Sequence, residues 1–170
     1  MGRFPVYQSP ALDAVEKRMR TIEAHHGYLT EADGPLVTLL IQDEIRVKEL
    51  GLTHEAIAAA LRQLTHAAAE AQGCPTVIEN KWRVQIDAFR GKIPCPWGHP
   101  GLYPKTHVHL ERVDTGASLQ WTDLAIHLIE AHGFYQGTQS PYRLDPEIVA
   151  KVLELTVSFN LPSLSSAGAE

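Results

Sequence analysis

The feature that most constrains the fold is a change in hydrophobic period near Gly73. Before Gly73, apolar residues recur at intervals of three and four, which is the spacing of one buried stripe on an α-helix. After it, apolar and polar residues alternate over residues 77–91 and 106–113, as they do in strands with one buried face. The sequence therefore predicts an α+β fold with an N-terminal helical layer and a small antiparallel sheet.

Local signals divide the helical layer into about three helices. Ser9 with Pro10, and Thr53, are typical of helix N-termini, because a hydroxyl can accept a free backbone N–H and proline fits the first turn. Gly51 and Gly73 are typical of helix ends, where glycine adopts the left-handed conformation without strain. The predicted layer is thus a three-helix arrangement.

Two further helices are predicted after the strands, beginning at Thr122 and at Asp145. No internal repeat or long linker separates the parts, so we expect one domain. Its predicted divisions are a helical part (1–73), a strand–helix part (74–160) and a frayed tail (161–170).

Composition argues against several classes of protein. A hydrophobic content of 44% fits a globular chain and not a disordered one. No apolar run approaches the ~20 residues of a membrane span, and no signal peptide is predicted. The net charge of −5 argues against nucleic-acid binding, which needs a basic face. We expect a soluble, cytoplasmic protein without a membrane or nucleic-acid partner; homo-oligomerisation stays open.

Metal-ligand side chains are concentrated between residues 95 and 132. Cys95 and His99 flank a turn whose proline and glycine allow both side chains to point to one spot. His127 and His132 form a second pair near the end of a predicted helix. Because zinc favours nitrogen and sulfur ligands, we predict a zinc ion bound by these four residues.

The ligand order resembles that of a zinc-finger site: a turn pair, a strand, then a helix pair. The resemblance covers residues 95–132 and concerns ligand order only, since the spacer is longer and the first pair lacks a second cysteine. Five residues of an ideal helix turn a side chain by about 500°, which leaves His127 and His132 about 140° apart. We therefore expect the pair to converge only if the last turn tightens or unwinds.

A reserve ligand pair, His107 and His109, lies on one face of the second predicted strand together with Glu111. Two imidazoles at this spacing can hold one ion. Asp123 precedes His127 by one helical turn and is predicted to orient its ring. The remaining histidines are expected on helix surfaces: His25, His26, His54 and His66.

Three functional hypotheses follow. Four protein ligands would make a closed, structural metal site, which is our first interpretation. Three ligands and a water would make a small hydrolase or lyase, with Glu111 or Glu130 as general base. The third hypothesis is a metal-free interaction module formed by the N-terminal helices. No catalytic sequence motif favours a particular reaction.

Overall fold

The computed structural model describes residues 5–21 and 28–155, and within them five helices and one four-stranded sheet. The helices are α1 (Pro10–Thr21), α2 (Leu36–Glu49), α3 (His54–Ala69), α4 (Asp123–His132) and α5 (Pro146–Val152). The strands are β1 (Thr76–Ile78), β2 (Trp82–Pro94), β3 (Leu102–Arg112) and β4 (Ser118–Thr122). The predicted α+β fold is confirmed. The predicted tail lies outside the described residues, and the division into one domain stays a prediction.

Several helix boundaries follow the local sequence signals, but α3 ends at Ala69, before the predicted stop at Gly73. Ser9 Oγ accepts the backbone N–H of Leu12, and Thr53 Oγ1 accepts that of Ala56 at 3.1 Å. Gly51 has a φ of 69°, the left-handed value that favours glycine. These ends form as predicted because each depends on contacts within one turn of chain.

The sheet is an antiparallel meander in the order β1-β2-β3-β4, with two strands more than the sequence predicts. β1 and β2 share the predicted segment 77–91, but a tight turn with positive φ at Glu79 and Asn80 divides them. β4 is only five residues long and leads directly into α4. The alternation of apolar and polar residues in β4 is therefore too short to distinguish this strand from the start of the helix in the sequence.

One face of the sheet packs against α3, α4 and α5. This core includes Val84, Val108, Leu110, Leu119 and Trp121 from the strands. A second apolar cluster joins α1, α2 and α4 to the segment after β2; its members include Leu12, Val15, Met19, Leu36, Cys95, Leu128 and Phe134. Helix α4 contributes to both clusters, and its C-terminal end lies beside the turn that follows β2.

The β2–β3 hairpin extends beyond the rest of the sheet. β1 pairs only with the first residues of β2, and β4 pairs with residues 107–111 of β3. A bulge between Phe89 and Lys92 interrupts the hairpin register. The extension carries the connecting residues 95–101 to the end of α4.

His54 is buried, with 4% of its surface exposed, so its predicted surface position was wrong. It is the first residue of α3, and its Nδ1 lies 2.8 Å from the hydroxyl of Tyr135. The histidine can be buried in the protein core because the hydroxyl of Tyr135, which is distant in sequence, is a polar partner for its ring. His66 is exposed as predicted, and His25 and His26 lie outside the described residues.

Candidate metal centre

The structure brings Cys95, His99, His127 and His132 together. Their ligand atoms all lie within 4.8 Å of one another. Cys95 Sγ is 3.5 Å from Nε2 of His99 and 3.5 Å from Nε2 of His132, and these two nitrogens are 2.7 Å apart. One sulfur and three imidazoles at these separations form a cluster that can hold a metal ion.

The first half of the cluster is formed by a tight turn. The carbonyl of Cys95 accepts the N–H of Gly98 at 2.9 Å, and Gly98 has a φ of 82° that favours glycine. Backbone N–H groups of Trp97 and Gly98 also donate to the Cys95 sulfur. The turn therefore returns the chain so that His99 lies beside Cys95, and it points two donors at the thiol.

The second half is formed by the end of α4, which remains helical through His132. Gly133 ends the helix with a φ of 64°, and Phe134 N–H donates to the carbonyl of Leu128 at 3.1 Å. The expectation that His127 and His132 converge only in an irregular turn was wrong. Their ring centroids are 5.3 Å apart because each imidazole extends well beyond the helix backbone.

His99 links the two histidines of α4. Its ring centroid lies 4.8 Å from that of His127 and 4.8 Å from that of His132. His127 and His132 leave the helix about 140° apart, and the ring of His99, from the hairpin turn, lies close to both of them.

Two aromatic rings hold the imidazoles in orientation. Trp97 stacks on His132 with centroids 4.0 Å apart and planes 5° from parallel. Tyr103, on β3, stacks on His127 at 4.6 Å and 26°. Cys95 is buried, whereas the three histidines are partly exposed. Cys95 is thus the buried member of the cluster, and the rings of Trp97 and Tyr103 cover part of the two histidines of α4.

Burial favours the uncharged forms of two of the four side chains, Cys95 and His127. Burial raises the pKa of the Cys95 thiol, although the N–H groups of Trp97 and Gly98 and the charge of Arg18 oppose the rise. Burial, with a contribution from His99, lowers the pKa of His127, although the charge of Glu130 opposes this shift. A metal cation would favour both the thiolate and the neutral imidazole, which are the forms that bind it.

His127 also has an unsatisfied ring nitrogen. Its Nε2 is buried and has no hydrogen-bond partner among the residues of 5–21 and 28–155. Buried polar atoms usually have a partner, so a nitrogen without one that lies beside three other ligand-type side chains fits the role of a metal ligand.

Arg18 connects α1 to the turn. Its Nε donates to the carbonyl of Pro96 at 2.8 Å, across 78 residues of sequence. Helix α1 is otherwise joined to this region by apolar contacts of Leu12, Val15 and Met19. The turn is therefore held by the N-terminal helix as well as by the hairpin.

The reserve pair lies apart from the cluster. The His107 ring contacts Phe89 at 5.2 Å and Tyr142 at 5.6 Å. His109 Nε2 is 3.6 Å from Asp87 Oδ2. Both histidines are accounted for by contacts with neighbouring strands and the loop after α4.

The carboxylates proposed from the sequence have other partners. Glu111 pairs with Arg83, and Glu130 pairs with Arg62. The carboxylate of Asp123 accepts a hydrogen bond from Thr106 on β3. Its predicted role in orienting His127 is thus filled by the ring of Tyr103.

The sequence did not identify Trp97, Tyr103 and Arg18 as neighbours of the site. Trp97 lies between Cys95 and His99 in the sequence, and this position is the one local feature that could have predicted its place beside the site. Tyr103 and Arg18 come from a strand and a distant helix, and only the folded chain brings them here.

No family model, curated protein or solved structure matches this chain. Among the described residues, no helix combines the length and apolar character that crossing a bilayer requires.

Proposed function

We propose that the protein binds one zinc ion through Cys95, His99, His127 and His132, and that the ion is structural. The observation that carries this proposal is the grouping of four ligand-type atoms within 4.8 Å of one another. A tetrahedral zinc with bonds of about 2.3 Å to sulfur and 2.0–2.1 Å to nitrogen has sulfur–nitrogen edges of about 3.5 Å. The two sulfur–nitrogen distances of Cys95 are 3.5 Å.

The nitrogen–nitrogen distance between His99 and His132 is 2.7 Å, less than the edge of about 3.4 Å in such a tetrahedron. Binding of the ion therefore requires these two rings to move apart by several tenths of an ångström. His127 completes the set, and its orphaned Nε2 would gain the partner that it lacks.

Zinc at this position would connect two segments of the fold. Two ligands belong to the hairpin turn, and two belong to α4. The extended hairpin end would be fastened to the helix, and α1 with it, through the contact of Arg18 with Pro96. Metal binding would thereby add to the free energy of folding.

A catalytic zinc is the alternative, as in a small metal-dependent hydrolase or lyase. It would need one of the four residues to leave the ion and a water to replace it. The pairing of Glu111 with Arg83 and of Glu130 with Arg62 gives less support to this alternative, because each carboxylate already has a cationic partner. The remaining alternative is an interaction module without metal.

The experiment is elemental analysis of the purified chain, before and after incubation with EDTA. A structural site gives about one zinc per chain, slow release to the chelator, and loss of the cooperative unfolding transition when zinc is removed. Cobalt substitution should give the intense visible bands of a tetrahedral ion and a sulfur-to-cobalt charge-transfer band. Rapid release with an unchanged transition would favour the open site, and absence of bound metal would refute the proposal.

We also place the protein in a reducing compartment, the cytoplasm. Cys74 is exposed and Cys95 is buried, and both are free thiols. Disulfide-forming compartments tend to oxidise exposed thiols, so this arrangement fits a reducing one. Cell fractionation with thiol labelling of Cys74 would test the location.

A further inference from the structure

A groove of about 620 Å³ lies between α1, the residues before it and the end of α4. Its lining is mostly apolar and includes Val6, Leu12, Val15, Leu40 and Trp97. The volume falls in the range of about 300–1,000 Å³ that is usual for small-molecule sites. The groove adjoins the candidate metal centre, because Trp97 and the ligand-type residue His132 also line it.

Arg18 supplies a positive charge to this apolar groove. Arg18 lines the groove, and its Nε donates a hydrogen bond to the carbonyl of Pro96. One terminal nitrogen lies 3.4 Å from where a Cβ on Gly98 would be, so the guanidinium lies over the turn. Arg18 makes no ion pair with an acidic residue of the described ranges.

Arg18 is an exposed residue of α1, and its lack of an acidic partner among the described residues distinguishes it from Arg20 and Arg143. Arg20 pairs with Glu16, and Arg143 pairs with Asp43. A guanidinium beside an apolar groove with no carboxylate of its own has terminal N–H groups that can donate to a carboxylate from outside the chain.

We propose that the groove binds a small monocarboxylic acid with an apolar chain. The carboxylate accepts hydrogen bonds from the terminal nitrogens of Arg18, and the chain lies along Leu12, Val15 and Trp97. A monocarboxylate fits better than a phosphate ester, because Arg18 is the sole Lys or Arg among the groove-lining residues. The site goes beyond the proposed zinc function and does not depend on it, since neither Arg18 nor the apolar lining is a metal ligand.

The direct test uses octanoate as probe and the indole N–H resonance of Trp97 as reporter, assigned with a Trp97→Phe variant. Octanoate should shift this resonance saturably. Octanamide, which has the same chain without the charge, should bind at least ~10-fold more weakly, because a charge-assisted hydrogen bond is about twice as strong as a neutral one. Acetate should bind more weakly still because it lacks the chain. Equal affinity for octanoate and octanamide would overturn the proposal, as would the absence of any shift.

Two variants with matched controls locate the site. Arg18→Gln should weaken octanoate at least ~10-fold, whereas Arg46→Gln, at an exposed position on α2, should not. Ala14→Phe fills the groove and should abolish binding, whereas Lys17→Phe, also exposed on α1 but outside the groove lining, should leave it unchanged. Unchanged affinity in both Arg18→Gln and Ala14→Phe would exclude this groove.

The zinc content of every variant is measured alongside. If Arg18→Gln loses zinc or fails to fold, the octanoate–octanamide comparison in the unmodified chain still decides the proposal. If the unmodified chain holds no zinc but binds octanoate through Arg18, the metal proposal fails and this one stands.

Discussion

The indole of Trp97 lies flat on the imidazole of His132, with ring centroids 4.0 Å apart and planes only 5° from parallel. Contacts of this kind fix the rotation of a ring about its side-chain bonds, and thereby the direction of its ring nitrogens. In metal sites, mutation of a group that orients a ligand typically lowers metal affinity by about 10–100-fold.

Trp97→Leu should therefore weaken zinc binding by about 10-fold while keeping one ion per chain, because the four ligands remain but one loses its orientation. A competition titration against a chromophoric chelator measures the change. Phe89→Leu is the control, since Phe89 is an exposed aromatic on the same hairpin that contacts His107. Equal affinities for both variants would show that the stack does not orient His132.

Cys95→Ser and His127→Ala should each lose most of the bound zinc and lower the melting temperature. Each removes one of four ligands, and Cys95→Ser also removes the soft sulfur that zinc favours. His109→Ala is the matched control, because His109 is half exposed and contacts Asp87 on the sheet. Metal content by mass spectrometry and thermal unfolding measure the outcome. Full zinc content in both ligand variants would refute the ligand assignment.

Arg143→Met should lower the free energy of unfolding by about 3–5 kcal/mol, because it leaves a buried carboxylate without its partner. Arg143 donates to both carboxylate oxygens of Asp43, at 2.6 and 2.7 Å, and the Asp43 side chain is only 6% exposed. Urea denaturation measures the loss.

The double variant Asp43→Asn/Arg143→Met should recover part of this loss, since it removes the uncompensated charge as well. A double variant as unstable as the sum of the two single ones would mean that the residues do not act as a pair.

The stability of the protein should fall at acid pH in part through Asp33. Burial would raise the pKa of this carboxyl, but hydrogen bonds from the side chains and backbone N–H groups of Thr138 and Thr30 outweigh it and lower the pKa. The carboxylate is thus favoured in the folded state. Its contribution is fully present above the ordinary aspartate pKa of about 3.9 and is lost as pH falls through the lowered value.

Asp33→Asn should consequently be less stable than the unmodified chain at neutral pH, and the difference should shrink as pH falls below about 4. Urea denaturation at a series of pH values gives the comparison. Asp13→Asn, an exposed change on α1, serves as control. If the difference in free energy of unfolding between Asp33→Asn and the unmodified chain stayed constant down to the lowest pH, ionisation of Asp33 would not be its cause.

The sequence was sufficient for features that depend on neighbouring residues. Helix caps at Ser9, Thr53 and Asp145 form as predicted, because each joins a side chain to a backbone N–H two or three residues away. The grouping of the four ligand-type residues was also foreseeable, since each half lies within six consecutive residues. The predicted zinc itself stays a proposal.

The sequence was insufficient where distant segments meet. The burial of His54 depends on Tyr135, 81 residues later, and the contact of Arg18 depends on Pro96. The angular argument against His127 and His132 failed for the same reason, since it treated the helix alone and could not include His99. β4 was missed because its pairing with β3 is what distinguishes a short strand from the first turn of a helix.

The division of the cluster between two segments has a consequence for the order of events during synthesis. Cys95 and His99 leave the ribosome together, but His127 and His132 follow only after β3 and β4 have been made. A nascent chain that ends before residue 132 therefore holds an incomplete set of ligands for zinc. Capture of the ion would mark the moment at which the hairpin and α4 have both been produced, long after α1 has emerged.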